Sequence, residues 1–328
     1  MKIADLPRIP LAQLPTPLDE LPRLSEDLGV RVLMKRDDLT GFALGGNKAR
    51  KLEFLIADAL AQRADIIVTG GGAQSNHIRM TAAAARKVGL DARALVFGEM
   101  PAEVNGNLLL DDLLGVEIIH TPNDDRVRAE QMLIEIADDL KQQGRRPYLI
   151  PIGGSTVLGC ISYLLAVGEM REQLAARAIS PDHIFITTGS CGTHAGVLTG
   201  LKYYGSTMSL YGISVGRPKS ECEDRIATLV KKTADFIAPA LSVRPNEIIV
   251  YDDYIGRGYA LITPEARAAI KRVARLEGIF LDQVYTGKTM AGLIDLIARG
   301  KIARGSTVVF WHTGGIPGLF ANPADFHA

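Results

Sequence analysis

The stretch Ile184-Phe185-Ile186-Thr187-Thr188-Gly189-Ser190-Cys191-Gly192-Thr193-His194 runs from an apolar block through two glycines into a small-residue segment. Branched and aromatic residues followed by glycines, then by a helical pattern, read as strand, turn and helix. Gly189 and Gly192 let backbone N–H groups converge, while Ser190 and Thr193 add hydroxyl donors. A helix over residues 193–204 turns its positive end toward that point, so the turn suits a phosphate. The same grammar occurs twice more. Gly70-Gly71-Gly72-Ala73-Gln74-Ser75-Asn76-His77 follows an apolar block at 66–69, and His312-Thr313-Gly314-Gly315 follows another at 307–311. One such turn serves equally well for packing a helix closely on a sheet. Three of them, at the strand ends where open parallel sheets bind ligands, favour one shared site.

Outward from these turns, short apolar blocks alternate with longer helical patterns. Ile66-Ile67-Val68, Ala92-Arg93-Ala94-Leu95-Val96, Val116-Glu117-Ile118-Ile119 and Tyr148-Leu149-Ile150 read as strands. So do Ile184-Phe185-Ile186, Leu210-Tyr211-Gly212-Ile213-Ser214-Val215, Ile248-Ile249-Val250 and Thr307-Val308-Val309-Phe310. Residues 48–62, 77–88, 126–142 and 264–276 carry helical spacing. Near-continuous apolar strands separated by helices imply an α/β fold, with parallel sheets covered on both faces and right-handed crossovers. Pro151-Ile152-Gly153-Gly154-Ser155 is the best internal hinge candidate, and residues 238–247 read as a surface connection.

A chain of 328 residues suits two domains or one large α/β domain. Basic and acidic residues number 37 each, so no net field draws it to nucleic acid or to an acidic membrane. The opening Met1-Lys2-Ile3-Ala4-Asp5-Leu6-Pro7 lacks the apolar core of a signal peptide. No apolar run is long enough to span a bilayer. Cys160, Cys191 and Cys222 are an odd set without metal-like spacing, suggesting neither a disulfide framework nor a metal site. These features point to a cytoplasmic enzyme or binding protein.

Gly41-Phe42-Ala43-Leu44-Gly45-Gly46-Asn47-Lys48 resembles a P-loop superficially. However, Asn47 separates glycine from lysine, and Ala49 stands where Ser or Thr would hold magnesium. None of the three turns has the Gly-x-Gly-x-x-Gly spacing of a dinucleotide site. What remains is a phosphate turn and a lysine behind two glycines, with Arg50 and Lys51 beside it. An amine nucleophile needs a pKa lowered by burial or by neighbouring cations. A Schiff base between Lys48 and a phosphorylated aldehyde is the economical reading.

Several motifs, in order, now carry a resemblance. They are Pro15-Thr16-Pro17-Leu18, Lys35-Arg36-Asp37-Asp38-Leu39-Thr40-Gly41, Gly45-Gly46-Asn47-Lys48 and Gln74-Ser75-Asn76-His77. Gly192-Thr193-His194-Ala195-Gly196, Val284-Tyr285-Thr286-Gly287-Lys288 and His312-Thr313-Gly314-Gly315 complete the series. Together they resemble the D-cysteine desulfhydrase and 1-aminocyclopropane-1-carboxylate deaminase group of pyridoxal 5′-phosphate (PLP) enzymes. That group has fold-type II, the tryptophan synthase β-like fold, with two parallel or mixed sheets and covering helices. The resemblance implies a large PLP-binding domain from residues 1–47 and 159–328, a small α/β domain over 48–158, and a homodimer. It implies that Lys48 carries PLP and moves the substrate α-proton. Asn76 would bind the PLP 3′-oxygen, and Lys51 with Ser190, Cys191, Gly192 and Thr193 its phosphate. Ser75 would meet the substrate carboxylate or act as an acid-base hydroxyl, beside Asn76 and His77. Tyr259 and Tyr285 would flank the substrate, and Thr286 would join them in binding it.

Thr286 and Thr313 choose among members of the group. The cyclopropane deaminase has an acidic residue immediately after the tyrosine, near the pyridine nitrogen. Thr286 takes that place here, and Thr313 offers the nitrogen only a hydroxyl. β-Elimination from a β-substituted alanine is therefore expected, with D-cysteine giving pyruvate, sulfide and ammonia. L-Cysteate, releasing sulfite, ranks second, since no arginine cluster can be assigned to a sulfonate from sequence. Cyclopropane cleavage follows, and a PLP- or amino-acid-binding protein without turnover is the alternative from another class. Two positions depart from the family pattern: Gln283 where proline is expected, and Cys191 where alanine or glycine is usual.

Overall fold

The computed structural model describes residues 3–326, so Met1 and Lys2 of the opening segment lie outside the described residues. Its strands are β1 (Leu18–Glu20), β2 (Arg31–Arg36), β3 (Ile66–Gly71), β4 (Asp91–Phe97) and β5 (Glu117–Thr121), followed by β6 (Pro147–Leu149), β7 (His183–Thr188), β8 (Ser209–Ser214), β9 (Ile249–Tyr251) and β10 (Thr307–His312). The helices are α1 (Pro22–Leu28), α2 (Lys48–Ala61), α3 (Asn76–Lys87), α4 (Gly106–Leu113) and α5 (Arg126–Gln142), then α6 (Val157–Ala175), α7 (Gly192–Tyr203), α8 (Lys219–Ile237), α9 (Pro264–Glu277) and α10 (Thr286–Ala298). All eight expected strands form, and each expected helix lies within a residue or two of its anticipated bounds. The hinge candidate is a short 3-10 turn, Ile152–Gly154, between β6 and α6, and residues 238–247 form a loop ending in a 3-10 turn.

Two sheets result. The larger has the order β1-β2-β10-β7-β8-β9 and the smaller β5-β4-β3-β6. Every pairing is parallel except β1 with β2. Alternation along β10 shows why the larger sheet is covered on both sides. Val309 and Trp311 enter one core with residues of α6, α7 and α8, whereas Val308 and Phe310 enter another with residues of α9 and α10. In β3 of the smaller sheet, Ile67 packs with α2 and α3, and Ile66 and Val68 with α5. Helices α6 and α7 approach closely because Gly196 has no side chain, and a Cβ there would fall 2.5 Å from the Cys160 carbonyl oxygen.

Strands β1 and β2 were not anticipated. Lys35 hides β2, because a lysine in a central strand contradicts the apolar pattern. It is fully buried, and its ammonium donates to the Thr16 carbonyl at 2.7 Å, to Gln173 Oε1 at 2.8 Å and to Glu169. Burial lowers its pKa, opposed by Asp37 and Glu169. Beyond β2 lies the most densely connected carboxylate of the molecule. Asp37, also fully buried, accepts from Thr16 Oγ1 (2.9 Å), Arg50 Nε and Nη2 (3.1 and 2.9 Å), Tyr163 OH (2.6 Å) and Trp311 Nε1 (2.9 Å). Burial alone would raise its pKa, but Arg50 and then Lys35 hold it below the usual carboxylate value.

Removing one partner of a buried, hydrogen-bonded ion pair leaves the other charge uncompensated, at about 3–5 kcal/mol. Asp37→Ala is expected to lose stability of that order, read as a lowered midpoint in urea unfolding. A change within experimental scatter would show that Arg50 is neutralised by Glu169 alone.

Candidate active site

The carboxyl ends of both sheets face a common cavity of about 840 Å³, counted to its open mouth. Its walls come from the three glycine-rich turns, the start of α2, and segments flanking α5 and β8. No aspartate or glutamate is among the lining residues.

Lys48 reaches this cavity through backbone geometry that requires glycine. Gly45 has φ +73°, and a Cβ there would lie 1.8 Å from the Asp38 carbonyl oxygen, so no side chain is tolerated. The Gly46 N–H donates to the Asp37 carbonyl (3.0 Å) and to Thr40 Oγ1 (2.8 Å), and the Asn47 N–H to the Thr313 carbonyl (3.0 Å). Lys48 thus opens α2 at the cavity wall, half-buried, its amine donating to Asn47 Oδ1 at 2.9 Å. Asn47 in turn donates from Nδ2 to Thr193 Oγ1 at 3.1 Å, tying the lysine to the phosphate turn. Burial, then Lys51 and Arg79, lower the Lys48 pKa well below that of a free lysine. Asn47, a mere spacer in the motif as read from sequence, is a structural partner of the amine.

Ser190, Cys191 and Thr193 line the cavity at the start of α7. Cys191 adopts φ +72°, the left-handed region that glycine favours, which accounts for the small residue expected there. Gly192 contributes backbone and abuts Ser155, whose Cα an added Cβ would meet at 2.8 Å. Lys51 is fully buried one turn behind Lys48 and donates to the Gly153 carbonyl at 2.9 Å. It is not among the lining residues, and burial lowers its pKa to about 8.

The second turn brings Ser75, Asn76 and His77 to the N-terminus of α3, all in the lining. Ser75 caps the helix by accepting from the Ile78 N–H at 3.2 Å. Asn76 Oδ1 accepts from Arg79 Nη1 (2.8 Å) and Asn107 Nδ2 (3.0 Å), leaving the amide N–H₂ to donate into the cavity. His77 is held neutral by burial and by Lys48 and Lys51. Its Nε2 is 2.9 Å from Thr69 Oγ1, whose hydrogen goes to the Ile150 carbonyl (2.8 Å), so Nε2 is the protonated nitrogen. Arg79 and Asn107 were not anticipated, because nothing local distinguishes them from other helix polar residues.

Tyr259 and Tyr285 line the far wall with hydroxyls in contact and ring centroids 6.1 Å apart. Burial first raises both phenol pKa values, so both are neutral donors. Asp282 fixes the backbone beneath Tyr285: Oδ2 accepts from the Val284 and Tyr285 N–H groups at 2.9 Å each. Its Oδ1 accepts from the Thr286 N–H (2.8 Å) and from Thr286 Oγ1 (2.7 Å). That bond corrects the placement of Thr286, which is fully buried outside the lining with its hydroxyl turned to Asp282. Thr313 does line the cavity. Gln283 faces away as well, donating to the Gly318 carbonyl at 2.5 Å.

A lysine amine of low proton affinity between an anion-binding helix start and a fixed amide donor defines a site for a phosphorylated aldehyde. The chain belongs to the pyridoxal-phosphate dependent enzyme family, whose profile matches residues 9–314. It is 42% identical to D-cysteine desulfhydrase of Yersinia enterocolitica, over 98% of this chain and 97% of that protein. It is 41% identical to a putative 1-aminocyclopropane-1-carboxylate deaminase of Pyrococcus abyssi, over 97% and 94%. A solved ACC deaminase homologue superposes with a TM-score of 0.91 at 40% identity, covering 99% of this chain and 97% of its own. The fold is that of a fold-type II PLP enzyme, and the cofactor is PLP.

Because the folded chain binds a proton at Lys48 more weakly than the unfolded chain, stability rises with pH from its lowered pKa up to 10.5. Cofactor-free Lys48→Met is therefore expected to unfold at a higher temperature than cofactor-free wild type at neutral pH. The gap should close as pH approaches the ordinary lysine range; a gap independent of pH would contradict it.

Proposed function

We propose that the chain is a PLP-dependent lyase that eliminates the β-substituent of D-cysteine, giving pyruvate, sulfide and ammonia. The observation carrying this reading is the placement of the Lys48 amine, whose proton affinity burial lowers, in one cavity with the Tyr259–Tyr285 pair. When bound, PLP supplies the electron sink that makes the substrate α-proton removable. Lys48 would carry the cofactor and would accept that proton. The amide N–H₂ of Asn76 would hold the cofactor's 3′-oxygen, and Ser190, Cys191, Gly192 and Thr193 its phosphate. Lys51 would act on that phosphate as a buried charge behind the turn, and Thr313, in the lining, would offer the pyridine nitrogen its hydroxyl. Ser75 and Asn76, at the positive end of α3, receive the substrate carboxylate. His77 supports that turn rather than offering a free ring nitrogen. A neutral tyrosine hydroxyl beside the β-carbon protonates the departing sulfur. Elimination leaves aminoacrylate, and added water converts it to pyruvate and ammonium.

The absence of any carboxylate from the cavity lining disfavours cyclopropane opening, since neither Thr313 nor the turned-away Thr286 can keep the pyridine nitrogen protonated. The reading extends to two domains, residues 1–47 with 159–328 and residues 48–158. The larger sheet takes its strands from either side of the smaller one in sequence, which supports that division. A homodimer in the cytoplasm follows from the family resemblance. Among the described residues no helix is long and apolar enough to cross a membrane.

Purified protein should show the visible band of lysine-bound PLP, fixed at Lys48 by borohydride, and release equimolar pyruvate and sulfide from D-cysteine. 1-Aminocyclopropane-1-carboxylate should yield no 2-oxobutanoate. A yellow protein inert toward every β-substituted alanine would support the non-catalytic binding reading instead.

A further inference from the structure

Two arginines of the cavity have no part in the chemistry above. Arg126 opens α5, Arg217 follows β8, and the fold brings them to one wall. The Arg126 guanidinium lies 4.8 Å from the Tyr259 ring centroid and has no carboxylate within ion-pair distance among the described residues. An added Cβ on Gly216, the residue before Arg217, would meet Arg126 Nη2 at 2.7 Å and Tyr259 Cβ at 3.0 Å. The missing side chain therefore lets the guanidinium close against the tyrosine. Arg217 is 3% exposed, and its Nε is buried without a hydrogen-bond partner. Its terminal nitrogens face Glu221 and, at 3.9 Å, Glu130, which is already bonded to Arg225 at 2.9 Å. Burial, then Arg225 and Arg126, weaken its hold on a proton.

Glu221 answers the charge of Arg217, but Arg126 has no counter-ion among the described residues and the buried Arg217 Nε no acceptor, an arrangement that a bound anion would satisfy. Arginine in particular matches the paired oxygens of a sulfonate or phosphate. The cofactor phosphate already has the start of α7, and the substrate carboxylate the start of α3. Arg126 instead stacks on Tyr259, whose hydroxyl meets that of Tyr285 at the wall assigned above to the substrate β-carbon. A thiol at that carbon gives the guanidinium nothing to pair with.

We propose that Arg126 and Arg217 form an anion subsite for the β-substituent of the substrate, so that the cavity accepts alanines bearing a sulfonate or phosphate ester at Cβ. The proposal rests on the function above for the placement of the β-carbon. For a sulfonate the reaction balances without a further reagent. The Cα–H bond breaks with its proton going to Lys48, and the Cβ–S bond breaks with its electron pair leaving on sulfite. Aminoacrylate then takes up water to give pyruvate and ammonium. A phosphate ester leaves as phosphate by Cβ–O cleavage in the same way.

The test compares wild-type holoenzyme with Arg126→Gln and Arg126→Lys on both enantiomers of cysteate, O-phosphoserine and cysteine. Pyruvate is measured together with sulfite, phosphate or sulfide, and binding by calorimetric titration. Arg126 is half-exposed, so the variants are expected to fold. Loss of a charge-assisted hydrogen bond should shift the ratio of kcat/KM for the oxyanion substrate over cysteine by about 10- to 100-fold in Arg126→Gln, with partial recovery in Arg126→Lys. The effect should fall mainly on KM. Turnover of cysteate alone assigns the subsite to sulfonate, and of phosphoserine alone to phosphate. If neither oxyanion binds wild type, or if Arg126→Gln leaves the ratio unchanged, the subsite is refuted. Loss of PLP affinity in Arg126→Gln would also refute it, placing Arg126 on the cofactor phosphate. Arg126-dependent cysteate turnover by an enzyme inert to D-cysteine would keep the subsite and overturn the D-cysteine assignment.

Discussion

A single buried carboxylate ties the catalytic lysine to the fold. Asp37 directly follows β2, Arg50 lies two residues beyond Lys48, Tyr163 belongs to α6, and Trp311 to β10. Their hydrogen bonds converge on one oxygen pair, so the larger sheet, the central helix α6 and the start of α2 share one point. Such a charge is tolerable in the interior only with its partners in place. The position of Lys48 is then set from two directions, by the Arg50–Asp37 pair and by the threading of Gly45 and Gly46 past Asp38 and Thr313. Flexibility at the base of the lysine would undo the low proton affinity of its amine.

Electrostatics in the cavity follow from the same economy of charge. Arg79 reaches Asn76 and the Gly45 carbonyl from behind, the latter at 3.0 Å, and burial lowers its pKa to about 10. Lys51 stands behind Lys48 in the same manner. Neither lines the cavity, yet both push the Lys48 amine toward its neutral form. Positive potential without direct contact suits a cofactor that brings a phosphate and an ionised ring oxygen. It also explains why a carboxylate is missing from the lining, since one would draw protons back to the amine.

The eight apolar strands and the three strand-end turns were legible in the sequence because they obey local rules: branched residues, then glycine, then a helix start. Lys48, Ser75, Asn76, Tyr259, Tyr285 and the phosphate-turn residues stood inside motifs, and motifs survive in one dimension. Strand β2 was not legible, because its lysine finds Glu169 from a helix more than a hundred residues away. Thr286 was misplaced because its bond to Asp282, four residues earlier, depends on the curl of a turn that spacing alone does not reveal. Arg126 and Arg217 were invisible as a pair for the same physical reason: separate crossovers of separate sheets bring them together. Long-range pairing of charges was the part the sequence concealed.

Strand β2 has a temporal consequence. Its neighbours are β1, only three residues long, and β10, which lies at residues 307–312. During synthesis the smaller sheet, contiguous between residues 66 and 149, can assemble as soon as it emerges. The larger sheet cannot close around β2 until nearly the whole chain has left the ribosome. Asp37 must wait for Trp311 over that interval, and the lysine it anchors waits with it. Cofactor capture therefore waits on the emergence of β10: a chain terminated short of that strand can hold a folded small sheet, but its lysine lacks the setting that makes it reactive.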